Sequence, residues 1–243
     1  AQIYTIKVQN NAEGRLNIAD IKQAIIGAHN DHGIRIFNLS MNSGSKNYNS
    51  DISPYAYILD ALAYELDILI FISTGNLVRE DVEAIQEEMA DEHTAEEVRN
   101  FLRYPNHFYK PGFERAASHF CDCTNLNVPA ESMNNMTIGA LADNLQAGDH
   151  TDMSLGKGFP AYYTKKYYID YNGEINGTKF NQNQRNKHIF KPDIVMPGGD
   201  VLSDDSAMEV ISTNALGLCY IKNSGTSYAA PLAANLAAKV IRS

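Results

Sequence analysis

Residues 34–76 read IRIFNLSMNSGSKNYNSDISPYAYILDALAYELDILIFISTGN, in which two apolar runs flank one segment with helical spacing. The runs Ile34–Leu39 and Ile68–Ile72 are too continuous for strands with one wet face, so they indicate buried parallel strands. Between them, Ser53–Leu66 places its apolar residues at the spacing of an amphipathic helix. The stretch therefore predicts a strand, a crossover helix and a second strand parallel to the first.

The same pattern extends to both sides of this stretch. The apolar runs Ile3–Val8 and Met136–Leu141 predict further buried strands, and Asn17–Asn30 predicts another helix. A right-handed, doubly wound parallel sheet in a three-layer α/β fold follows from this order of elements. Function is then expected at the carboxyl ends of the strands, which here carry Asn38-Leu39-Ser40 and Gly75-Asn76.

Two segments interrupt the pattern within what we interpret as one domain, residues 1–243. Residues 77–128 contain an acidic stretch with an intermittent apolar stripe, which predicts a helical insertion that packs outside the sheet and is dispensable for the fold. Its carboxylates are interpreted as a solvated helix face, with a cation or partner site as the alternative. In residues 157–190, a tyrosine-rich part leads into Asn172-Gly173, which predicts a β-hairpin excursion.

Composition argues against several classes of function. The 243 residues carry a formal net charge of -9, with 44% hydrophobic and 20% charged residues, as is typical of a soluble globular protein without a membrane span. Nine carboxylates and no Lys or Arg lie between Glu80 and Glu97, so the rest of the chain is formally neutral. No basic nucleic-acid footprint is present. Three cysteines, of which Cys121 and Cys123 are close neighbours, favour a reduced, cytoplasmic setting.

Candidate chemistry lies near the C-terminus, in Gly225-Thr226-Ser227-Tyr228-Ala229-Ala230-Pro231 and the small residues that follow. High helix propensity after Thr226 predicts Ser227 at a helix N-terminus, where Pro231 is tolerated because first-turn amides have no intrahelical acceptor to lose. Free amides and the positive dipole end can stabilise an oxyanion formed on a carbonyl that the serine attacks. The spacing alone leaves open a plainer alternative, a serine-rich turn that caps a buried alanine-rich helix.

The segment around Ser227 resembles the nucleophile motif of the subtilase family, Gly-Thr-Ser-x-Ala-x-Pro. Further segments resemble the family in the family's order: Asn38-Leu39-Ser40, Ser73-Thr74-Gly75-Asn76, Pro129-Ala130-Glu131-Ser132 with Thr137-Ile138-Gly139-Ala140, and Lys191-Pro192-Asp193-Ile194-Val195-Met196-Pro197-Gly198. The resemblance covers the chain nearly end to end, apart from the two insertions. It implies a subtilisin-like serine endopeptidase that acts on peptide or protein substrates without a cofactor. Calcium is common in secreted members of the family and stays possible here, although no segment has the spacing of a calcium loop.

The resemblance also assigns roles to individual residues. Ser227 is the expected nucleophile, Asn76 the side-chain donor to the oxyanion, and the Ser227 amide the second donor. Without the family, Asn76 is an ordinary Gly-Asn turn residue. The substrate pocket is expected to be bordered by Ser40, Met41, Asn42, Ser43, Ser73, Thr74 and Gly75. The family usually has Ser-Leu-Gly where this chain has Ser40-Met41-Asn42-Ser43, so the pocket's preference stays open. Position alone suggests Ala12–Arg15 at the nonprime subsites.

A subtilase serine needs a histidine that accepts its proton and an aspartate that orients the histidine. The family carries them in Asp-x-Gly at a strand end and His-Gly-Thr at a helix start, and we identify neither at such a place here. His32-Gly33 leads into the strand at Ile34, at the edge of the sheet opposite Ser227. We therefore expect both residues upstream of Ala1, and this chain to be inactive alone. The alternative is a pseudoprotease or peptide-binding module that uses the groove without cleavage.

Overall fold

The computed structural model describes residues 2–8, 17–46, 50–91, 93–108, 123–142, 158–167, 174–175, 178–179, 189–199, 208–214 and 217–241. The helices are α1 Ile18–His32, α2 Pro54–Leu66, α3 Arg79–Ala90, α4 Ala95–Leu102 and α5 Thr226–Val240, with a 3-10 turn at Asn106–Phe108. The strands are β1 Ile36–Leu39, β2 Ser43–Ser45, β3 Leu69–Ser73, β4 Asn127–Val128, β5 Met136–Leu141, β6 Glu174–Ile175, β7 Thr178–Lys179, β8 Ile194–Pro197, β9 Met208–Asn214 and β10 Gly217–Asn223.

The central sheet has the order β1-β3-β5-β8, and each neighbouring pair is parallel. Successive side chains of a strand point to opposite faces of the sheet, so β3 contributes side chains to two apolar layers. Ile70 and Ile72 belong to the cluster that contains Leu59 of α2, whereas Phe71 belongs to the cluster that contains Ala229 of α5. The predicted α/β fold, a parallel sheet with helices packed on both faces, is confirmed.

Local sequence accounts for the limits of α1 and α2. The Asn17 side chain accepts a hydrogen bond from the Ala19 amide at 3.0 Å. Ser53 caps α2 in the same way ahead of Pro54, a residue favoured at the first helical position. Gly33, with φ 65°, ends α1 in the left-handed conformation. Within the described part of the chain, no helix is long and apolar enough to cross a membrane.

The prediction of a buried strand at Ile3–Val8 is wrong. Residues 2–8 form no strand, and Ile3, Tyr4 and Ile6 are 87%, 41% and 42% exposed. An apolar run becomes a strand only when a neighbouring strand takes up its backbone hydrogen bonds. Among the described strands, none pairs with this segment, and the sheet ends at β1.

The acidic segment is helical, as predicted, but it is integrated into the core. Met89 of α3 and Val98 and Leu102 of α4 are buried in the same apolar cluster as Phe71 and Ile138 of the sheet. Deleting the two helices would expose their part of this apolar cluster to water, while α5 still packs on that face of the sheet. Removal of the segment is therefore expected to lower the stability of the fold, in contrast to the expectation that the segment is dispensable.

The second interrupted segment contains a hairpin at a different place from the predicted one. β6 pairs antiparallel with β7, with Ile175 opposite Thr178, and they enclose a second Asn-Gly dipeptide at 176–177. The first dipeptide, Asn172-Gly173, lies outside the described residues. Both have the same turn chemistry, so sequence alone does not choose between them. Within this segment, Ala161–Tyr167 is buried against the main body.

Candidate active site

Ser227 is the second residue of α5, and its side chain is half-buried. The first amides of a helix have no intrahelical acceptor, so the Ser227 backbone N–H is available to a ligand. The helix is preceded by Gly225, where an added Cβ would lie 3.2 Å from Asn76 Nδ2. The missing side chain at position 225 therefore lets Asn76 come close to the start of the helix.

Asn76 follows the carboxyl end of β3 and is fixed by Thr226. Its Oδ1 accepts hydrogen bonds from both the backbone N–H and the hydroxyl of Thr226, each at 3.0 Å. A backbone N–H can only donate, so the atom that faces it is the amide oxygen. The Asn76 Nδ2 is thereby left as a donor beside the residue that precedes Ser227.

Ser40 compensates for the proline inside α5. Pro231 is the sixth residue of the helix and has no N–H to donate to the carbonyl four residues earlier, which belongs to Ser227. The Ser40 hydroxyl donates to that carbonyl at 3.3 Å. The expectation that Pro231 lies in the first turn is therefore wrong, since the helix loses a bond and a side chain at the end of β1 replaces it.

Asn42 and Gly75, both predicted to border the substrate pocket, meet at Asn127. Asn127 Nδ2 donates to Asn42 Oδ1 at 2.9 Å. Gly75 has φ 88°, and a Cβ added there would lie 2.6 Å from Asn127 Cγ. Position 75 thus requires glycine for its backbone conformation and for its packing.

The other predicted pocket residues differ in accessibility. Ser43 is exposed in β2 and faces Val128 of β4, while Met41 is partly buried against the apolar cluster on the α1–α2 face. Ser73 and Thr74 are both 0% exposed, so their side chains lie inside the protein. Ala12–Arg15 lies outside the described residues.

Sequence reasoning missed a buried cation next to these residues. Lys165 Nζ donates to Ser45 Oγ and to Asn127 Oδ1, each at 2.8 Å. Lys165 is 3% exposed, and its burial lowers the pKa of the ammonium group. These contacts depend on the fold, which joins positions far apart along the chain, and no local sequence signal marks them.

The described histidines do not pair with the Ser227 side chain. His29 Nδ1 contacts the Ile34 carbonyl at 3.0 Å, at the amino end of β1, and His32 stacks on Tyr4. Among the described residues, the Ser227 hydroxyl makes no hydrogen bond to a histidine. The letters Asp31-His32-Gly33 match Asp-x-Gly, but they form the last turn and C-cap of α1 rather than a strand end. His119, His150 and His188 lie outside the described residues.

His107 is buried away from this edge, beneath Tyr162. Its Nε2 lies 3.2 Å from the Tyr162 carbonyl, and the two rings stack at 4.3 Å between centroids. Burial lowers the pKa of His107 to about 3, so its ring is neutral at physiological pH. In the described part of the chain, no group of His, Cys, Asp or Glu is arranged to hold a metal ion.

The family follows from comparison with known proteins. The family model described as "Subtilase family" matches residues 1–243, so the chain belongs to the subtilase family of serine proteases. No curated protein sequence matches the chain significantly.

Three solved structures with a similar course of the chain have 16–19% sequence identity to it. Sphericase has 19% identity and a TM-score of 0.47, covering 94% of this chain and 50% of its own. Prenylagaramide maturation protease PagA has 17% identity and a TM-score of 0.47, covering 95% and 51%. Patellamide maturation protease PatA has 16% identity and a TM-score of 0.48, covering 97% and 55%. The chain thus spans about half the length of these proteins.

Proposed function

We propose that the protein is a serine endopeptidase that hydrolyses peptide bonds through an acyl-enzyme on Ser227. The observation that carries this proposal is the arrangement of Asn76, whose Oδ1 is held by Thr226 while its Nδ2 remains a donor next to Gly225, at the start of the helix that carries Ser227. A carbonyl bound there has two donors for its developing negative charge, the Asn76 amide and the Ser227 backbone N–H.

In the proposed reaction, Ser227 Oγ attacks the carbonyl carbon of the peptide bond while a histidine accepts the hydroxyl proton. The carbonyl oxygen becomes an oxyanion between the two donors. The histidine then gives its proton to the leaving amine, and the C–N bond breaks. Water, deprotonated by the same histidine, hydrolyses the ester on Ser227 and restores the hydroxyl.

We further propose that the histidine and its aspartate come from residues outside this 243-residue chain. Support for this comes from the sequence, in which no His-Gly-Thr occurs and the one Asp-x-Gly lies in α1. In subtilisin, a member of the same family, loss of the histidine alone lowers turnover by ~10⁶. The chain alone should therefore hydrolyse peptides at no useful rate.

The test compares the 243-residue chain with a longer natural form that carries both motifs. Each is assayed for casein hydrolysis and for labelling by a fluorophosphonate, alongside Ser227→Ala and the matched control Ser224→Ala. We expect cleavage and labelling by the longer form, lost in Ser227→Ala and kept in Ser224→Ala. Robust Ser227-dependent cleavage by the short chain would place the base within it. A folded but silent longer form would favour a peptide-binding module without cleavage.

A further inference from the structure

Lys165 is a buried lysine whose ammonium group forms no ion pair with any described residue. It is 3% exposed and has two neutral acceptors, Ser45 Oγ and Asn127 Oδ1. A lysine ammonium has three N–H donors, so one remains unused within the described part of the chain. Burial lowers the pKa of this ammonium group, and its effect exceeds the opposing effects of Cys123 and Asp81, which favour the charged form.

Two other buried lysines show what a satisfied ammonium group looks like in this protein. Lys46 donates to the hydroxyl and the carbonyl of Ser50 and to the carbonyl of Asp51. Lys191 forms an ion pair with Asp193 at 2.6 Å. Among the residues that the structure describes, Lys165 has neither a full set of acceptors nor an ion pair. Buried charges in proteins are normally paired, so the surroundings of Lys165 are suited to an anion that binds from outside.

The position of Lys165 connects it to the proposed reaction centre. Its partner Asn127 packs against the Cα of Gly75, and Gly75 directly precedes Asn76. Its other partner, Ser45, is an exposed residue of β2 that pairs with Asn127 of β4. The Lys165 ammonium therefore lies one hydrogen bond beneath a polar surface that begins next to Asn76.

We propose that Lys165 makes the protein select substrates with an acidic side chain, Asp or Glu, immediately before the cleaved bond. This proposal rests on the proposed function, because it places the substrate carbonyl beside Asn76 and its side chain over Gly75 and Asn127. The side-chain carboxylate accepts from the unused Lys165 N–H and supplies the missing opposite charge. A neutral Gln or Leu side chain leaves the buried cation without an anion, and hydrogen bonds between charged groups are stronger than neutral ones.

The experiment measures binding separately from catalysis. The longer natural form carrying Ser227→Ala is expected to bind peptides without cutting them, so a failure of hydrolysis does not affect the result. The probes are fluorescein-labelled peptides that differ only in their C-terminal residue, Glu, Gln, Leu or Lys, with mixed residues elsewhere. Fluorescence anisotropy gives the dissociation constant of each. We expect Glu peptides to bind ~10–100-fold more tightly than Gln peptides. Equal affinities for Glu and Gln peptides would overturn the proposal, whatever the hydrolysis assays show.

Substitutions on this background separate recognition from stability. Lys165→Met should remove the preference for Glu, and Lys165→Glu should replace it with a preference for Lys. The matched control Lys46→Met removes another buried lysine and should keep the preference for Glu. If Lys165 only stabilised the fold, Lys165→Met would lower the midpoint of thermal unfolding without changing the ratio of the affinities for Glu and Gln peptides. Persistence of the ratio in folded Lys165→Met would therefore contradict the proposal. If that variant does not fold, the Glu and Gln peptides on the Ser227→Ala protein still decide.

Discussion

The edge of the sheet that carries Ser227 and the layer beneath the acidic helices are built in opposite ways. At the edge, Asn76 and Ser227 are half-buried, and one side chain, Asn76, holds its place through two bonds to Thr226. Beneath the helices, Met89 and His107 are 2% and 0% exposed and surrounded by apolar or aromatic groups. Under the proposed function, we therefore expect substitutions at the edge to change turnover and substitutions in the buried layer to change stability.

The largest effect is expected for Ser227→Ala in the longer natural form. Turnover should fall by ~10⁶, the loss seen in subtilisin when the nucleophile is removed. The midpoint of thermal unfolding should hardly move, because the hydroxyl of Ser227 makes no hydrogen bond within the described residues and is half-buried. Turnover and thermal unfolding are measured on the same preparation. A large drop in the midpoint would show that the edge also stabilises the fold.

Asn76→Ala should lower turnover by ~10²–10³, the range known for such a donor in subtilisin. The sharper variant is Asn76→Asp, because its carboxylate can still accept from Thr226 while the donating Nδ2 is lost. We expect it to lower turnover at least as much as Asn76→Ala and to disturb the Thr226 contacts less. Steady-state kinetics test both variants. Near-normal turnover in folded Asn76→Asp would exclude Nδ2 as an oxyanion donor.

In the buried layer, Met89→Ala should lower the free energy of unfolding by ~3 kcal/mol, since it leaves a cavity in the apolar cluster that α3 shares with the sheet. The matched control is Met133→Ala, at a position that is 56% exposed, where little change is expected. Urea unfolding measures both. Equal, small effects at the two positions would mean that α3 does not stabilise the sheet.

At neutral pH the smallest effect is expected at His107, because its contribution to stability changes only when the protein is acidified. Burial holds the pKa of His107 at about 3, below its ordinary value near 6.5. Between these values the unfolded state binds the proton and the folded state does not. Stability should therefore fall as the pH is lowered through this window, with a contribution of up to ~1.4 kcal/mol per pH unit. His107→Gln should show a smaller pH dependence of unfolding than His32→Gln, a control at an exposed histidine. Equal dependences would contradict a buried, neutral His107.

The elements that were predicted correctly are those whose own sequence marks where they begin or end and which of their residues are buried. Met136–Leu141 is β5 residue for residue, and Ser53 with Pro54 marks the start of α2. Ile3–Val8 shows the limit, because an apolar run needs a partner strand that its own sequence does not specify. Asn76 lies next to the start of the helix that carries Ser227, since it is hydrogen-bonded to Thr226, 150 positions away along the chain. The catalytic roles of Asn76 and Ser227 stay predictions. Lys165 escaped prediction because its partners, Ser45 and Asn127, become neighbours only through folding.

The conformation of Gly75 also constrains how this gene can vary. Every amino acid other than glycine brings a Cβ into the Asn127 side chain, which cannot yield because Asn42 and Lys165 hold it. The positive φ adds strain for any replacement. In a saturation library selected for activity, codon 75 should retain glycine alone. Codon 44 should accept many residues, since a Cβ at Gly44 meets nothing within 4 Å.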